Sequence, residues 1–164
     1  EYSPCYLYDL NTVKQKITEL KNMTAISQLF YAVKANPYPD ILKTIHAEGV
    51  YFECVSIEEI QLLLNTIEHL DPKKIIFTPN FAAKKEYEFA IQIGCHLTID
   101  NLYPLKHWPE LFDNQKLIIR IDTGTGAGHH KFVCTGGNES KFGIPKDSLP
   151  DLIKLIKQLN IEVI

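Results

Sequence analysis

The sequence predicts an α/β fold, a (β/α)8 TIM-type barrel of which this chain carries about six β/α units. Short apolar runs alternate with amphipathic helical segments from residue 29 to the end, and polar residues follow the apolar runs in turn. This alternation indicates parallel strands with helices packed outside. A closed barrel needs about 250 residues, so the 164 residues present correspond to a truncated one. An open doubly wound sheet is the alternative, and it would fit this length without missing pieces.

The elements follow from apolar periodicity and from helix start and stop signals. Strands are predicted at 5–10, 29–33, 50–55, 74–78, 96–99, 117–121 and 161–164, and helices after about residue 11 and at 37–47, 56–66, 84–93, 102–108 and 146–159. Ser56 followed by Glu59 is a capping box, and Gly49 closes the preceding helix. No Pro-, Gly- or Ser-rich linker divides the chain, so residues 1–164 are expected to form one partial barrel domain, with no second domain.

Composition excludes several classes of function. Hydrophobic residues make up 45% and charged residues 23% of the chain, a globular balance. The net charge of −3 without a basic run argues against nucleic acid and membrane surfaces as partners. No apolar stretch reaches the length of a membrane span. The four cysteines are widely spaced, which predicts reduced thiols in a cytoplasmic protein.

A lysine follows the strand predicted at 29–33. Phe30, Ala32 and Lys34 share one face because strand side chains alternate, and Asn36 with Pro37 breaks the run. Lys34 is therefore expected on a core face, where burial lowers a lysine pKa and suits the amine to forming a Schiff base. The alternative is a lysine that extends into solvent at a strand end.

Polar residues lie at the carboxyl ends of five successive predicted strands, the edge at which parallel barrels carry their chemistry. They are Lys34, Glu53, Asn80, Asp100 with Asn101, and Arg120 with Asp122. Within the strand predicted at 117–121, Ile118 and Arg120 share a face with Asp122. Together these residues predict a polar ring that contains a lysine, which is typical of an active site.

The segment 123–140 is rich in glycine. It lacks the Gly-Lys-Ser/Thr of a phosphate-binding loop, and His129 stands where a dinucleotide fingerprint needs its third glycine. His129 and His130 are adjacent, so their side chains diverge, and no second cluster has ligand spacing. We therefore expect no metal here and a hydrogen-bonding or solvated role for the two histidines.

Several motifs resemble those of one enzyme family. The stretch Phe30-Tyr31-Ala32-Val33-Lys34-Ala35-Asn36 resembles the lysine motif of the pyridoxal-phosphate decarboxylases built on the alanine-racemase-type (fold-type III) barrel. The stretch 52–59 resembles their second-strand motif, which often has Asp where this chain has Glu53. Residues 120–124 and 128–130, with Thr135-Gly136-Gly137 and Ser140-Lys141-Phe142-Gly143-Ile144, resemble the diaminopimelate decarboxylase branch. The ornithine and arginine decarboxylases share the lysine and the Lys-Phe-Gly motif.

The resemblance implies roles for individual residues. Lys34 would bind pyridoxal 5'-phosphate as a Schiff base, and Glu53 and Arg120 would pair beneath the cofactor. Asn80 and His130 would line the site. Lys141 resembles a position near a dimer interface, since the active sites of this family are shared between two subunits.

The resemblance also implies an activity, the decarboxylation of meso-diaminopimelate to L-lysine. The alternatives are a related decarboxylase of ornithine, arginine or a polyamine precursor, and a non-catalytic pyridoxal-phosphate-binding regulatory protein. A small amino acid and a second copy of the chain are the expected partners, and fusion to an aspartate kinase occurs in the family. The ring-stacking histidine, the phosphate cradle, the glutamate at the pyridine nitrogen and the C-terminal β-domain lie downstream in the family, so the 164 residues alone are expected to be inactive.

Overall fold

The structure, a computed structural model, describes residues 3–124 and 142–164. The helices are α1 (Leu10–Lys21), α2 (Pro39–Ala47), α3 (Ile57–Thr66), α4 (Lys84–Ile93), α5 (Tyr103–His107) and α6 (Leu149–Gln158). The strands are β1 (Phe30–Ala32), β2 (Tyr51–Cys54), β3 (Ile75–Phe77), β4 (His96–Ile99), β5 (Lys116–Ile119), β6 (Ile121–Asp122), β7 (Ile144–Pro145) and β8 (Glu162–Val163). Short 3-10 turns span Val33–Ala35, Pro72–Lys74, Pro109–Leu111 and Lys146–Ser148.

Six strands form one parallel sheet in the order β1-β2-β3-β4-β5-β8. Each strand thus pairs with the next along the chain, apart from the small pair β6 and β7, which forms a separate parallel ribbon. A doubly wound sheet reverses its strand order at a switch point, and this sheet has no reversal. The sequential order is that of a barrel segment, which confirms the predicted fold class.

The two faces of the sheet differ in burial. One face carries buried apolar residues that form the core together with helix residues such as Leu42, Ile60 and Leu105; its strand members include Phe52, Cys54, Ile75, Phe77, Leu97, Ile99 and Leu117. The other face carries Ala32, Glu53 and Ile76 in register. Apolar burial against the helices stabilises the sheet, while the residues named on the second face are only partly buried.

Local signals fix the helix ends. The Asp9 side chain accepts a hydrogen bond from the Asn11 backbone N–H and caps α1. The Ser56 hydroxyl accepts from the Glu59 backbone N–H (3.3 Å) and caps α3, and the Glu59 carboxylate accepts from the Val55 N–H (2.8 Å). These contacts satisfy backbone donors that have no partner within the helix.

Two strand predictions are wrong. Residues 5–10 form no strand: Tyr6 and Leu7 are 90% and 93% exposed, and Leu10 already belongs to α1 because Asp9 acts as its cap. The strand predicted at 117–121 is interrupted at Arg120, so that Ile118 and Asp122 belong to different sheets. In the part of the chain that the structure describes, no helix combines the length and apolarity needed to cross a bilayer.

Candidate functional site

Lys34 lies at the carboxyl edge of the sheet, in the 3-10 turn Val33–Ala35 that directly follows β1. Val33 is fully buried whereas Lys34 is exposed. The expectation of a buried strand lysine is therefore wrong, because β1 ends at Ala32 and the turn directs Val33 rather than Lys34 into the core. The extension of the lysine into solvent, the alternative prediction, describes the structure.

The loop after Lys34 is held by two hydrogen bonds. The Tyr31 hydroxyl donates to the Asn36 carbonyl (3.3 Å), and the Tyr38 N–H donates to the Asn36 side-chain oxygen (3.0 Å). An Asx turn of this kind replaces the strand ladder by local hydrogen bonds. The turn therefore fixes the backbone from which Lys34 projects.

Glu53 lies on β2 directly beside Ala32 of β1 and is half-buried. Burial raises the pKa of the Glu53 carboxyl above its usual value, the neighbouring charge of Lys34 lowers it, and the Thr78 hydroxyl and Arg120 lower it further. The charges of Lys34 and Arg120 thus both act on Glu53. No ion pair within 4.0 Å joins the three among the described residues. The predicted pair of Glu53 with Arg120 is therefore not formed as a direct contact, and their attraction acts over a longer distance.

The backbone of Arg120 connects the two sheets by hydrogen bonds. Its N–H donates to the Ile99 carbonyl (2.9 Å), and its own carbonyl accepts from the Ile144 N–H (2.8 Å). The guanidinium stands 4.6 Å from the centre of the Phe142 ring, which is a cation–π contact. The Lys-Phe-Gly motif therefore supplies the aromatic surface on which Arg120 rests.

Asn80 follows β3 at the same edge and is half-buried. Its side-chain oxygen is buried and has no hydrogen-bond partner among the described residues. No hydrogen bond in that part of the chain links Asn80 to Lys34, Glu53 or Arg120. Asn80 is thus placed at the edge but is not joined to the charged group, and its role stays a prediction.

His130 and Lys141 lie outside the described residues, as does most of the glycine-rich segment. Within residues 3–124 and 142–164, no three His, Cys, Asp or Glu side chains come together as metal ligands would.

Sequence reasoning placed Asp100 in the polar ring but did not include it among the site residues. Asp100 is 4% exposed and accepts a hydrogen bond from the Asn101 side chain (2.8 Å). A second polar pair, Thr78 and Thr98, joins the neighbouring strand ends through their hydroxyls (3.4 Å). The signal that could have found these residues is their position: they lie near the carboxyl ends of β3 and β4, the two strands between β2, which carries Glu53, and β5, which Arg120 follows.

A family model described as pyridoxal-dependent decarboxylase, pyridoxal binding domain, matches residues 10–164. The chain belongs to this family. The family description establishes pyridoxal phosphate as the cofactor, as the resemblance of the lysine motif implied. The family is also the one that the sequence motifs resemble.

Similar proteins agree with this assignment. The diaminopimelate decarboxylase of Methanothermobacter thermautotrophicus is 31% identical over 136 residues, which are 82% of this chain and 31% of that protein. The crystal structure of diaminopimelate decarboxylase from Helicobacter pylori complexed with L-lysine matches all of this chain and 43% of its own, with a TM-score of 0.89 and 27% identity. The arginine decarboxylase of Paramecium bursaria Chlorella virus matches 94% of this chain and 41% of its own, with a TM-score of 0.76 and 29% identity. The chain therefore spans less than half the length of each of these relatives.

Proposed function

We propose that the full-length protein decarboxylates meso-diaminopimelate to L-lysine with pyridoxal phosphate, and that residues 1–164 form one partial cofactor-binding barrel domain within it. The observation that carries the proposal is the position of Lys34, exposed at the carboxyl edge and close enough to Glu53 to lower the pKa of that carboxyl. An accessible amine is what covalent attachment of an aldehyde cofactor requires.

The residues present fit one part of the cofactor. The Lys34 amine can bind the aldehyde carbon, and the half-buried Glu53 and Arg120 supply both signs of charge beside it. The buried Asn80 oxygen, which lacks a donor among the described residues, offers an acceptor at the same edge. Phosphate binding is assigned, by the family resemblance, to later strands.

When bound, pyridoxal phosphate supplies the electron sink for the electron pair left by loss of CO₂. The residues of this chain attach the cofactor and set the charges around it. Lys34 holds the cofactor, and its amine, once free, is an acid or base at this edge. Glu53 and Arg120 contribute to the electrostatic environment of Lys34. Glu53 interacts with the charges of both Lys34 and Arg120, and in a half-buried site the effective dielectric constant is lower than in water.

Two observations support diaminopimelate as the substrate. The motifs Thr135-Gly136-Gly137 and Ser140-Lys141-Phe142-Gly143 resemble those of the diaminopimelate branch. The structural match to the Helicobacter pylori diaminopimelate decarboxylase (TM-score 0.89) exceeds that to the viral arginine decarboxylase (TM-score 0.76) at similar identity. Decarboxylation of ornithine or arginine is the second candidate, and the arginine decarboxylase match favours it.

The proposed partners are a small amino-acid substrate and a second subunit, which in a homodimer would share the active sites. The cytoplasm is the proposed compartment, because Cys54 and Cys95 are free thiols, and a reducing compartment keeps thiols in that state.

Covalent attachment tests the role of Lys34. We expect the full-length protein to show the visible absorbance of lysine-bound pyridoxal phosphate and, after borohydride reduction, a modified peptide that contains Lys34. Lys34→Ala should abolish both. Lys43→Ala, at an exposed lysine of the nearby helix α2, is the matched control and should retain both. Persistence of the absorbance in Lys34→Ala would contradict the assignment.

Substrate choice needs its own measurement. Release of CO₂ should be compared for meso-diaminopimelate, ornithine, arginine and lysine with the same full-length protein. Preference for diaminopimelate is expected. Preference for ornithine or arginine would move the protein to the second candidate function, and cofactor attachment without CO₂ release from any of the four would indicate the regulatory alternative.

A further inference from the structure

Asp100 is a buried carboxyl to which the proposed reaction assigns no role. It directly follows β4, and only 4% of its surface is exposed. A buried carboxylate is costly unless it has hydrogen-bond and charge partners. The Asn101 side-chain amide provides a hydrogen bond (2.8 Å), which leaves the charge itself to be compensated.

Register places Asp100 beside Arg120. Ile99 pairs with Ile119 at the carboxyl ends of the parallel strands β4 and β5, so Asp100 and Arg120 are the residues that directly follow the two neighbouring strands. The Arg120 N–H donates to the Ile99 carbonyl (2.9 Å), which extends the pairing to that level. Residues at the same level of adjacent parallel strands lie next to each other.

Electrostatics agree with this placement. Burial raises the pKa of the Asp100 carboxyl, while the Asn101 hydrogen bond and then the charge of Arg120 lower it. Another titratable neighbour, the buried Tyr87, has its pKa raised by burial and further by Asp100, so it stays neutral and compensates no charge. No Asp100–Arg120 ion pair within 4.0 Å exists among the described residues, so the attraction acts at longer range within a buried site.

We propose that Asp100 is a positioning residue for Arg120: it holds the guanidinium over the Phe142 ring, at the place from which Arg120 acts on Glu53 and the cofactor. Arg120 then has two acidic residues on the same side of the sheet, Asp100 directly after the adjacent strand β4 and Glu53 on the more distant strand β2, and an aromatic ring at 4.6 Å. The importance of this for cofactor binding rests on the proposed function; the hold on Arg120 itself does not.

Chemical reactivity of Arg120 tests the hold directly. The full-length protein, with and without cofactor, would be treated with phenylglyoxal, and modification of the Arg120 peptide followed by mass spectrometry. Asp100→Asn should accelerate modification several-fold, because the guanidinium loses the charge that restrains it. Asp113 is an exposed residue that precedes the amino end of β5. Asp113→Asn is therefore the matched control and should leave the rate of Arg120 modification unchanged. Equal rates in Asp100→Asn and the unmodified protein would overturn the proposal.

A double-mutant cycle on the cofactor dissociation constant tests the consequence. Asp100→Asn is expected to weaken cofactor binding by roughly threefold to tenfold, the coupling typical of residues in one charge network. In an Arg120→Gln background the same change should have no further effect. Equal effects in both backgrounds would mean that Asp100 acts independently of Arg120, which overturns the proposal.

Further variants keep the outcomes separate. Should Asp100→Asn fail to fold, Asn101→Ala leaves the carboxyl in place and removes the amide that donates to Asp100, together with the oxygen that accepts from the Tyr103 N–H (2.9 Å). Its effect on cofactor binding should be smaller and should also vanish with Arg120→Gln. If Arg120→Gln itself leaves cofactor binding unchanged, the proposed site is wrong, while the phenylglyoxal rates still decide whether Asp100 restrains Arg120.

Discussion

Replacing Gly143 by alanine should destabilise the protein more than the same change at other glycines with positive φ. Gly143 has φ +85°, and a Cβ there would lie 2.7 Å from the Asp122 backbone nitrogen and 3.0 Å from the Ile121 carbonyl carbon. The left-handed conformation costs about 1–2 kcal/mol for a residue with a Cβ. Displacing rigid neighbouring backbone adds about 1–3 kcal/mol, for a total of about 2–5 kcal/mol.

Gly94 is a matched control for the conformational part. It has φ +80°, but a Cβ there would meet nothing within 4 Å. Gly94→Ala should therefore cost only about 1–2 kcal/mol, and the difference between the two variants isolates the steric contact between β6 and the backbone before β7. Urea denaturation of the full-length variants, compared through their midpoints, measures this difference. Equal midpoints for the two variants would refute the reasoning.

The same substitution should affect the site. Phe142 precedes Gly143, and its ring lies against the Arg120 guanidinium. A backbone shift at Gly143 moves that ring, so Gly143→Ala is expected to weaken cofactor binding as well as stability, whereas Gly94→Ala is expected to affect stability alone.

Three further predictions concern single side chains. The folded-state pKa of Glu53 is raised by burial above its usual 4.5, so the folded protein retains a proton that the unfolded chain releases. As the pH rises above about 4.5, the stability of Glu53→Gln should therefore increase relative to that of the native protein. Denaturation midpoints measured against pH check this, and a difference between the two proteins that does not change with pH would contradict it. The folded-state pKa of His46 is lowered from 6.5, first by burial and then by Lys74, and its Nδ1 is buried without a hydrogen-bond partner among the described residues. The stability of the native protein should therefore fall as the pH drops below 6.5. In the same series of denaturation midpoints, His46→Gln should show a weaker dependence of stability on pH. Ser56→Ala removes the cap of α3 and should cost about 1 kcal/mol, seen as a lower melting temperature; an unchanged melting temperature would show that the Glu59 contact alone suffices.

The fold could be predicted because its signals are local. The capping residue Ser56 and the apolar alternation identify helices and parallel strands without knowledge of contacts. Sequential strand order then follows from short connections. The strand predicted at 5–10 failed because alternation of apolar residues does not itself provide a neighbouring strand, and the Asp9 cap commits the following residues to α1.

The site could be predicted only in part. Strand-end position identified Lys34, Glu53 and Arg120 as neighbours, since carboxyl ends of parallel strands meet at one edge. The sequence could not decide between a buried and an exposed Lys34, because the outcome depends on whether the chain continues as a strand or turns after Ala32. The contact between Arg120 and Phe142 joins two distant stretches of sequence, and no local pattern encodes it. The roles of these residues stay predictions until they are measured.

The strand order has a consequence for how the chain folds during synthesis. Each strand of the main sheet after β1 pairs with one that precedes it in the chain, from β2 through β5 to β8, so each of these strands finds its partner already synthesised. Short sequence separation between contacts favours rapid folding, and chains fold from the N-terminus as they emerge. The turn that carries Lys34 can therefore form with the first strand pair, β1 and β2. Arg120 gains its aromatic support only after the segment that contains Phe142 has been synthesised.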